Sequence, residues 1–294
     1  MQLTVLKAMT LHNMRRRTPK VSSLYCNRRE FTRLCATSLL CLATAPLVGC
    51  SKEEGDDRLI VACGNDIGGL TVQAALEWGM ASEVNFGADE TFIGDCCGST
   101  ATFTLSTGGV DVAVLCPDAV VNLKEADEDF IELGTVVFDG NLLVSPTGNF
   151  ETCTNVGYMA DRDEQKADVQ AYLGQRELNF RPLYTFATAS ALANGLVEAA
   201  TMDLASAARA GYPSVAYTKD RTTSVLVARG SLSQDERLSQ LVQICNSYLS
   251  ELSNEGEELT QKLCELFEND NKDEVMRWWR NSTTRFGSDL KIEE

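Results

Sequence analysis

The chain has 294 residues, 44% of them hydrophobic, and carries 26 basic against 42 acidic side chains for a formal charge of −16. That length supports one large domain or two lobes, and so acidic a surface repels nucleic acid, which binds through Lys and Arg neutralising phosphates. The single histidine, His12, falls in a segment read below as removed on export, which takes away the usual general base, imidazole metal ligand and haem ligand.

In chain order, the first signal is Asn27-Arg28-Arg29-Glu30-Phe31, followed by a modestly apolar stretch from Leu34 to Val48 that closes at Leu47-Val48-Gly49-Cys50. An arginine pair before Phe is what a twin-arginine translocase reads, and Leu-x-Gly-Cys is what lipoprotein processing reads. The apolar run is about 15 residues, short of the ~20 that a membrane span needs. Residues 1–49 are therefore expected to be a twin-arginine lipoprotein signal peptide, with Cys50 the lipidated N-terminus of the mature chain. Residues 50–57, polar and acidic, read as a linker between lipid and fold. The mature 245 residues hold 18 basic and 41 acidic side chains, a formal charge of −23.

Strand-like and helix-like segments then alternate. Leu59–Cys63 is a continuous apolar run ended by Gly64-Asn65-Asp66, as expected of a strand buried on both faces. A helix follows Gly68-Gly69 through Trp78, and Val84–Phe86 reads as a short strand. Val110–Cys116, Asn141–Ser145, Val156–Met159, Ala199–Met202 and Ser224–Ala228 complete the expected strands. Such alternation argues for an α/β fold. A repeat reinforces it: Leu105-x-x-Gly108-x-Val110-Asp111-x-Ala113-x-Leu115 is echoed by Leu192-x-x-Gly195-x-Val197-Glu198-x-Ala200-x-Met202. Each copy reads as a helix ending at a Gly cap, then a buried strand, and the pair favours two similar lobes. Near the end, Ser233-x-x-Glu236 has the form of a capping box. Leu238, Leu241, Val242, Cys245, Tyr248, Leu249 and Leu252 then form one apolar stripe at helical spacing, and further helices carry Leu259, Leu263, Leu266, Phe267, Trp278 and Trp279.

From Arg58 to Leu266 the order of these units resembles a type II periplasmic solute-binding protein of an ABC importer, most like the nitrate/sulfonate/taurine-type lipoproteins. The resemblance rests on the lipobox, the two helix-Gly-x-Val-acid-strand units, Asn141–Ser145 leading to Val156–Met159, and the return strand Ser224–Ala228. The first segment departs from the family pattern: Gly68 through Gly79 is compact, without the usual Pro-Leu and Lys-Gly-Phe-Phe stretch. The resemblance implies a two-lobed α/β fold, each lobe a mixed sheet flanked by helices, joined by two hinge segments near Ser145–Asn149 and Lys219–Thr223. One lobe takes residues 58–145 plus 222–294 and the other 146–221. It implies a monomer on the extracytoplasmic face of the cell membrane, held there by its lipid anchor, that traps a small solute between the lobes and hands it to an ABC permease and its ATPase. No reaction, cofactor or metal is expected.

Ligands in open α/β sheets bind beyond the carboxyl ends of strands, where helix N-termini also point. That rule nominates Asp66, Ser99, Thr100, Cys116, Asp118, Arg162, Ser190 and Asp203, with helix capping as the competing role for the Ser, Thr and Asp side chains. The carboxylates suit an amine or a metal; the helix N-termini with Ser99, Thr100 and Arg162 suit an anion. Seven cysteines accompany Cys50 in the mature chain, open to three readings: structural disulfides, buried free thiols, or a soft-metal cluster of Cys63, Cys96, Cys97 and Cys116. The third would make the protein a metal- or cofactor-binding protein or enzyme on the same fold. A ligand-sensing lipoprotein is the remaining alternative.

Overall fold

A computed structural model describes residues 58–81, 88–92, 99–126, 128–253 and 257–292. The export signal, Cys50, the linker, the expected strand at Val84–Phe86 and the vicinal pair Cys96 and Cys97 lie outside the described residues, as do the side chains of Ser99 and Thr100.

The described strands form two mixed sheets. The first holds β1 (Leu59–Cys63), β2 (Ala88–Phe92), β3 (Val112–Leu115), β4 (Phe130–Phe138), β10 (Thr222–Arg229) and β11 (Arg285–Phe286), in the order β2-β1-β3-β10-β4-β11. The second holds β5 (Asn141–Val144), β6 (Asn155–Met159), β7 (Asn179–Leu183), β8 (Ala199–Asp203) and β9 (Ser214–Ala216), in the order β7-β6-β8-β5-β9. The two are built alike. In each, three parallel strands stand in the order second, first, third, and an antiparallel strand follows that the chain lays down as it arrives from the other sheet.

That arrangement corrects one boundary. Strand β5, expected with residues 58–145 in the first lobe, pairs with β8 and β9 in the second sheet, Asn141 opposite Asp203 and Leu142 opposite Ala216. Its buried Leu142-Leu143-Val144 run marks a strand covered on both faces but names no partner. The crossings therefore fall at residues 139–140 and 217–221, and the first is not at Ser145–Asn149.

The repeat is visible as geometry. Helix α2 (Ser99–Ser106) precedes β3 and helix α5 (Thr185–Ala193) precedes β8. Gly108 and Gly195, which follow them, have φ of +74° and +67°, a left-handed conformation that costs a side-chain-bearing residue about 1–2 kcal/mol. The acid immediately after each buried Val makes a clip. Asp111 N donates to Ile60 O (2.8 Å) and Asp111 Oδ2 accepts from Ile60 N (2.9 Å). Glu198 N donates to Asn155 O (2.9 Å) while its Oε2 accepts from Asn155 N (2.9 Å) and Thr154 N (2.6 Å). Each carboxylate fastens its strand to the head of the neighbouring parallel strand.

One apolar core covers a face of both sheets and runs under helix α1 (Ile67–Ala81) and the C-terminal helices α7 (Glu236–Ser253), α8 (Glu257–Leu266) and α9 (Lys272–Asn281). All seven stripe positions of α7 are buried in it, as are Leu259, Leu263, Leu266 and Phe267. A second core lies under the other face of the first sheet and a third under the other face of the second. The cap of α7 differs from expectation. Ser233 follows the 3₁₀ turn Gly230–Leu232, and Asp235 is the residue whose Oδ1 accepts from Arg237 N at 2.9 Å. Asp one residue before the first helical position takes the capping role that the Ser-x-x-Glu pattern offered to Ser233.

The crossings are tied together by Asp139, which is 1% exposed. Its Oδ1 accepts from Thr218 Oγ1 (2.8 Å) and Arg221 N (3.0 Å), and its Oδ2 from Asp220 N (2.8 Å). Its backbone N–H donates to Arg221 O at 2.7 Å, and its C=O accepts from Thr284 Oγ1 at 2.9 Å. Asp139 and Asp220 both adopt positive φ, 53° and 58°, which Asp tolerates better than most side chains. Among the described residues no helix is long and apolar enough to cross a membrane.

Candidate functional site

Two adjoining cavities lie between the sheets, beside the crossings. The first, with an empty volume of about 530 Å³, is walled by the turn after β1 (Gly64 to Ile67), the crossing at Gly140 and Asn141, and Thr223 and Ser224 of β10. From the second sheet it receives Met159, Arg162, Thr185, Asp203 and Ser206. The second, about 350 Å³, shares Asn141, Arg162 and Thr223 and adds Asp118, Gln165, Tyr217 and Arg221. The parallel strands β1, β6 and β8 contribute at or just beyond their carboxyl ends, where the chain turns into a helix, whereas β5 and β10 contribute at their amino ends.

Compact glycines allow the first wall. A Cβ on Gly69 would sit 2.2 Å from Gly64 O, and one on Gly68 would sit 2.3 Å from Ser224 Oγ. With glycine at both positions, the first turn of α1 packs onto the end of β1 and against β10. Asp66 then caps the helix, its Oδ1 accepting from Gly69 N at 2.8 Å.

Asp203, 3% exposed, is the centre of the first cavity's electrostatics. As N-cap of helix α6 (Leu204–Ala210) its Oδ1 accepts from Ser206 N at 2.9 Å. Its Oδ2 reaches across to the other sheet's helix and accepts from Ile67 N at 2.8 Å. One carboxylate thus bridges two helix N-termini, one from each sheet. Burial, followed by the nearby charge of Asp66, pushes its pKa up to about 6 against two favourable N–H bonds. Beside it, Arg209 Nη2 donates to Asn65 O at 3.2 Å, a second contact between α6 and the turn after β1.

The second cavity mixes charges. Asp118 begins helix α3 (Pro117–Glu125), and its pKa is raised to about 6, first by burial and then by Cys116, with Arg162 opposing. Arg162, 6% exposed, is the N-cap residue of helix α4 (Asp163–Leu173) and belongs to the walls of both cavities. Arg221, on the second crossing, pairs with Asp168 at 2.9 Å and Glu164 at 3.4 Å. Gln165 is 5% exposed, and its Oε1 accepts from Met159 N (2.9 Å) and Thr201 Oγ1 (2.7 Å). Among the described residues its Nε2 makes no hydrogen bond of normal geometry, though its side chain acts on the neighbouring Tyr217 hydroxyl.

No protein-family model matches the sequence, and no curated protein sequence matches it. Solved structures do. The ligand-binding component of an ABC-type import system from Staphylococcus aureus, with zinc bound, superposes with a TM-score of 0.58 at 12% identity, over 80% of this chain and 86% of that one. The alkanesulfonate-binding protein of Xanthomonas axonopodis pv. citri bound to MOPS gives 0.57 at 12% identity, over 78% and 86%. A Candida albicans protein exhibiting the generic periplasmic binding protein fold gives 0.59 at 14% identity, over 79% and 83%. The chain has the type II periplasmic-binding-protein fold.

Within this binding-protein fold, four of the eight nominated residues come together: Asp66 and Asp203 in the first cavity, Asp118 in the second, and Arg162 in both. Ser99 and Thr100 start α2, but their side chains lie outside the described residues. Cys116 and Ser190 are in neither wall. Cys116 is buried in the core under the outer face of the first sheet. Helix α5 opens at Thr185, so Ser190 sits in its second turn, exposed, where Oγ accepts from Asn194 Nδ2 at 3.1 Å. The residues that sequence reading missed, Asn141, Gln165, Tyr217, Thr223 and Ser224, come from the amino ends of β5 and β10, a helix interior or a crossing, and the rule of strand carboxyl ends does not point to them.

The cysteine readings are also narrowed. Cys63, Cys153, Cys245 and Cys264 are free thiols, and Cys116 is buried. Cys63 and Cys116 pack in different cores, on opposite faces of the first sheet, so they do not converge as the soft-metal reading required. Leu59, Val61 and Cys63 alternate onto one face, whereas Cys116 lies just past the end of β3, as the N-cap residue of α3, and packs with Ala113 and Leu115 under the other. Burial pushes the Cys63 thiol far up and that of Cys245 up to about 12, which leaves both protonated. Among the described residues no three His, Cys, Asp or Glu side chains are grouped to hold a metal ion.

Proposed function

We propose that the chain is an extracytoplasmic solute-binding protein, lipid-anchored at Cys50, that captures a small polar solute between its two sheets and presents it to an ABC permease and ATPase. The observation that carries this is the pair of polar cavities between the sheets, walled from both sides and adjoining the only two crossings among the described residues. A ligand touching Asp66 or Ser224 on one side and Arg162 or Thr185 on the other stabilises the closed arrangement by its differential contacts, which is all that a population shift requires. No bond is made or broken. The similarity to import-system binding proteins supports the role, and the Leu-Val-Gly-Cys box supports the anchor. Of the two lobes, one takes the first sheet with the C-terminal helices, the other the second sheet.

The test is a thermal-shift screen of the full-length protein in detergent against small polar solutes, followed by calorimetry on any that raise the melting temperature. A stoichiometric solute with a dissociation constant at or below micromolar is expected. If no solute stabilises the protein while a metal or a redox partner does, the transport reading fails.

A further inference from the structure

Resting on the solute-binding reading, we propose that the cleft selects a small zwitterion of the amino-acid class, with its ammonium against Asp66 and Asp203 and its acid group toward Arg162 and Gln165. Two independent observations lead there, one at each end.

At the first end, the position that would suit an anion is already filled. The N-termini of α1 and α6 are the places where N–H groups and helix dipoles favour negative charge, and Asp203 supplies it to both. A ligand anion there would meet the protein's own carboxylate. The two walls hold five carboxylates, Asp66, Asp118, Glu164, Asp168 and Asp203, against two guanidinium groups, Arg162 and Arg221. That surplus of negative charge asks for a ligand that brings positive charge.

At the second end, a buried donor lacks a well-placed acceptor among the described residues. Gln165 is more than nine-tenths buried, and both bonds to its Oε1 fix the amide so that it cannot flip without opposing two donors. Its Nε2, in a residue that walls the second cavity beside Tyr217, makes no hydrogen bond of normal geometry among the described residues. An unsatisfied buried amide donor is disfavoured, and an incoming oxygen acceptor relieves it. Arg162, in the wall of both cavities, adds a positive charge to the same acceptor. A simple anion answers only this end, and a simple amine or metal cation only the other. A solute holding both charges a few bonds apart answers both, and the adjoining cavities of about 530 and 350 Å³ have room for one.

The experiment is calorimetric titration of the full-length protein in detergent with the twenty L-amino acids, β-alanine and taurine, alongside methanesulfonate, nitrate and putrescine. The expected result is that at least one zwitterion binds, and that its deaminated acid and its decarboxylated amine each bind at least 100-fold more weakly. Asp66→Asn, which keeps the cap oxygen and removes the charge, should weaken the zwitterion at least 30-fold while barely changing the affinity for the deaminated acid. Gln165→Glu, which keeps Oε1 and turns the donor into an acceptor, should do the converse, sparing the decarboxylated amine. Ligand-free melting temperatures of both variants separate misfolding from lost contacts, and either variant alone suffices. Equal or tighter binding of methanesulfonate, nitrate or putrescine overturns the zwitterion assignment and leaves the solute-binding reading standing. Failure of every zwitterion to bind overturns the assignment too, and the thermal-shift screen then decides the solute-binding reading separately.

Discussion

Asp203 is a carboxylate whose burial favours the neutral form while two backbone N–H bonds favour the charged one. An unfolded Asp titrates near 4, whereas burial and Asp66 raise this one to about 6. The folded protein therefore holds more protons than the unfolded chain between about pH 4 and pH 6, and the contribution of Asp203 to stability falls as pH rises through that window. Two units correspond to about 3 kcal/mol at full burial. Denaturant unfolding followed from pH 4 to 7 should show that Asp203→Asn is relatively more stable at the upper end than at the lower, by up to about that amount. A constant difference between variant and wild type would remove Asp203 from the pH response. Asp139 is different in kind: its carboxylate accepts three hydrogen bonds that hold one crossing to the other. Each bond to a charged acceptor is worth roughly 1.5–3 kcal/mol net, so Asp139→Ala should lose at least about 3 kcal/mol in urea unfolding. An effect below about 1 kcal/mol would mean that the crossings hold without it.

The units that build both sheets repay attention because two sequence copies became two equivalent structures. The Gly–x–Val–acid run ends a helix, turns left-handed, buries a Val and clips the strand head of its neighbour. At Gly195 a Cβ would meet nothing within 4 Å, whereas at Gly108 it would lie 3.3 Å from Arg229 Nη1. Gly195→Ala should therefore cost about 1 kcal/mol, the conformational penalty alone, and Gly195→Asn less, since Asn visits that region more readily. Equilibrium unfolding of the three proteins checks the order Gly, Asn, Ala. A stable Gly195→Ala would mean that the turn after α5 has another conformation open to it.

At the scale of the whole molecule the proposal is a soluble body held at a surface. Two acyl chains or more give stable attachment, where one gives only marginal binding. Cys50→Ser should move the protein from the membrane fraction to the soluble one after cell breakage, with the mass of the lipid lost from its N-terminus. Changing Arg28 and Arg29 to Lys together should leave unprocessed precursor inside the cell. Fractionation and intact-mass measurement decide both, and membrane retention of the Cys50→Ser protein would point to an anchor other than the lipid.

Much of this was legible in the residues themselves. Buried strands announced themselves as apolar runs ended by Gly, Asn or Asp, because a parallel strand covered on both faces has no polar side to show. The helix–Gly–strand echo gave two similar halves, and the α7 stripe gave a helix packed on a core, since 3.6-residue spacing places those side chains on one face. Strand ends nominated Asp66, Asp118, Arg162 and Asp203, which line the two cavities, because topology puts the ends of parallel strands at one edge. Pairing was another matter. Nothing in Leu142-Leu143-Val144 says which sheet it joins, as backbone hydrogen bonding is blind to side-chain identity. Whether Cys63 and Cys116 meet depends on which face each strand end presents, and the roles of Gln165, Tyr217 and Thr223 depend on what lies across the cleft. Those are relations between residues far apart in sequence, and only the folded chain brings them within range of one another.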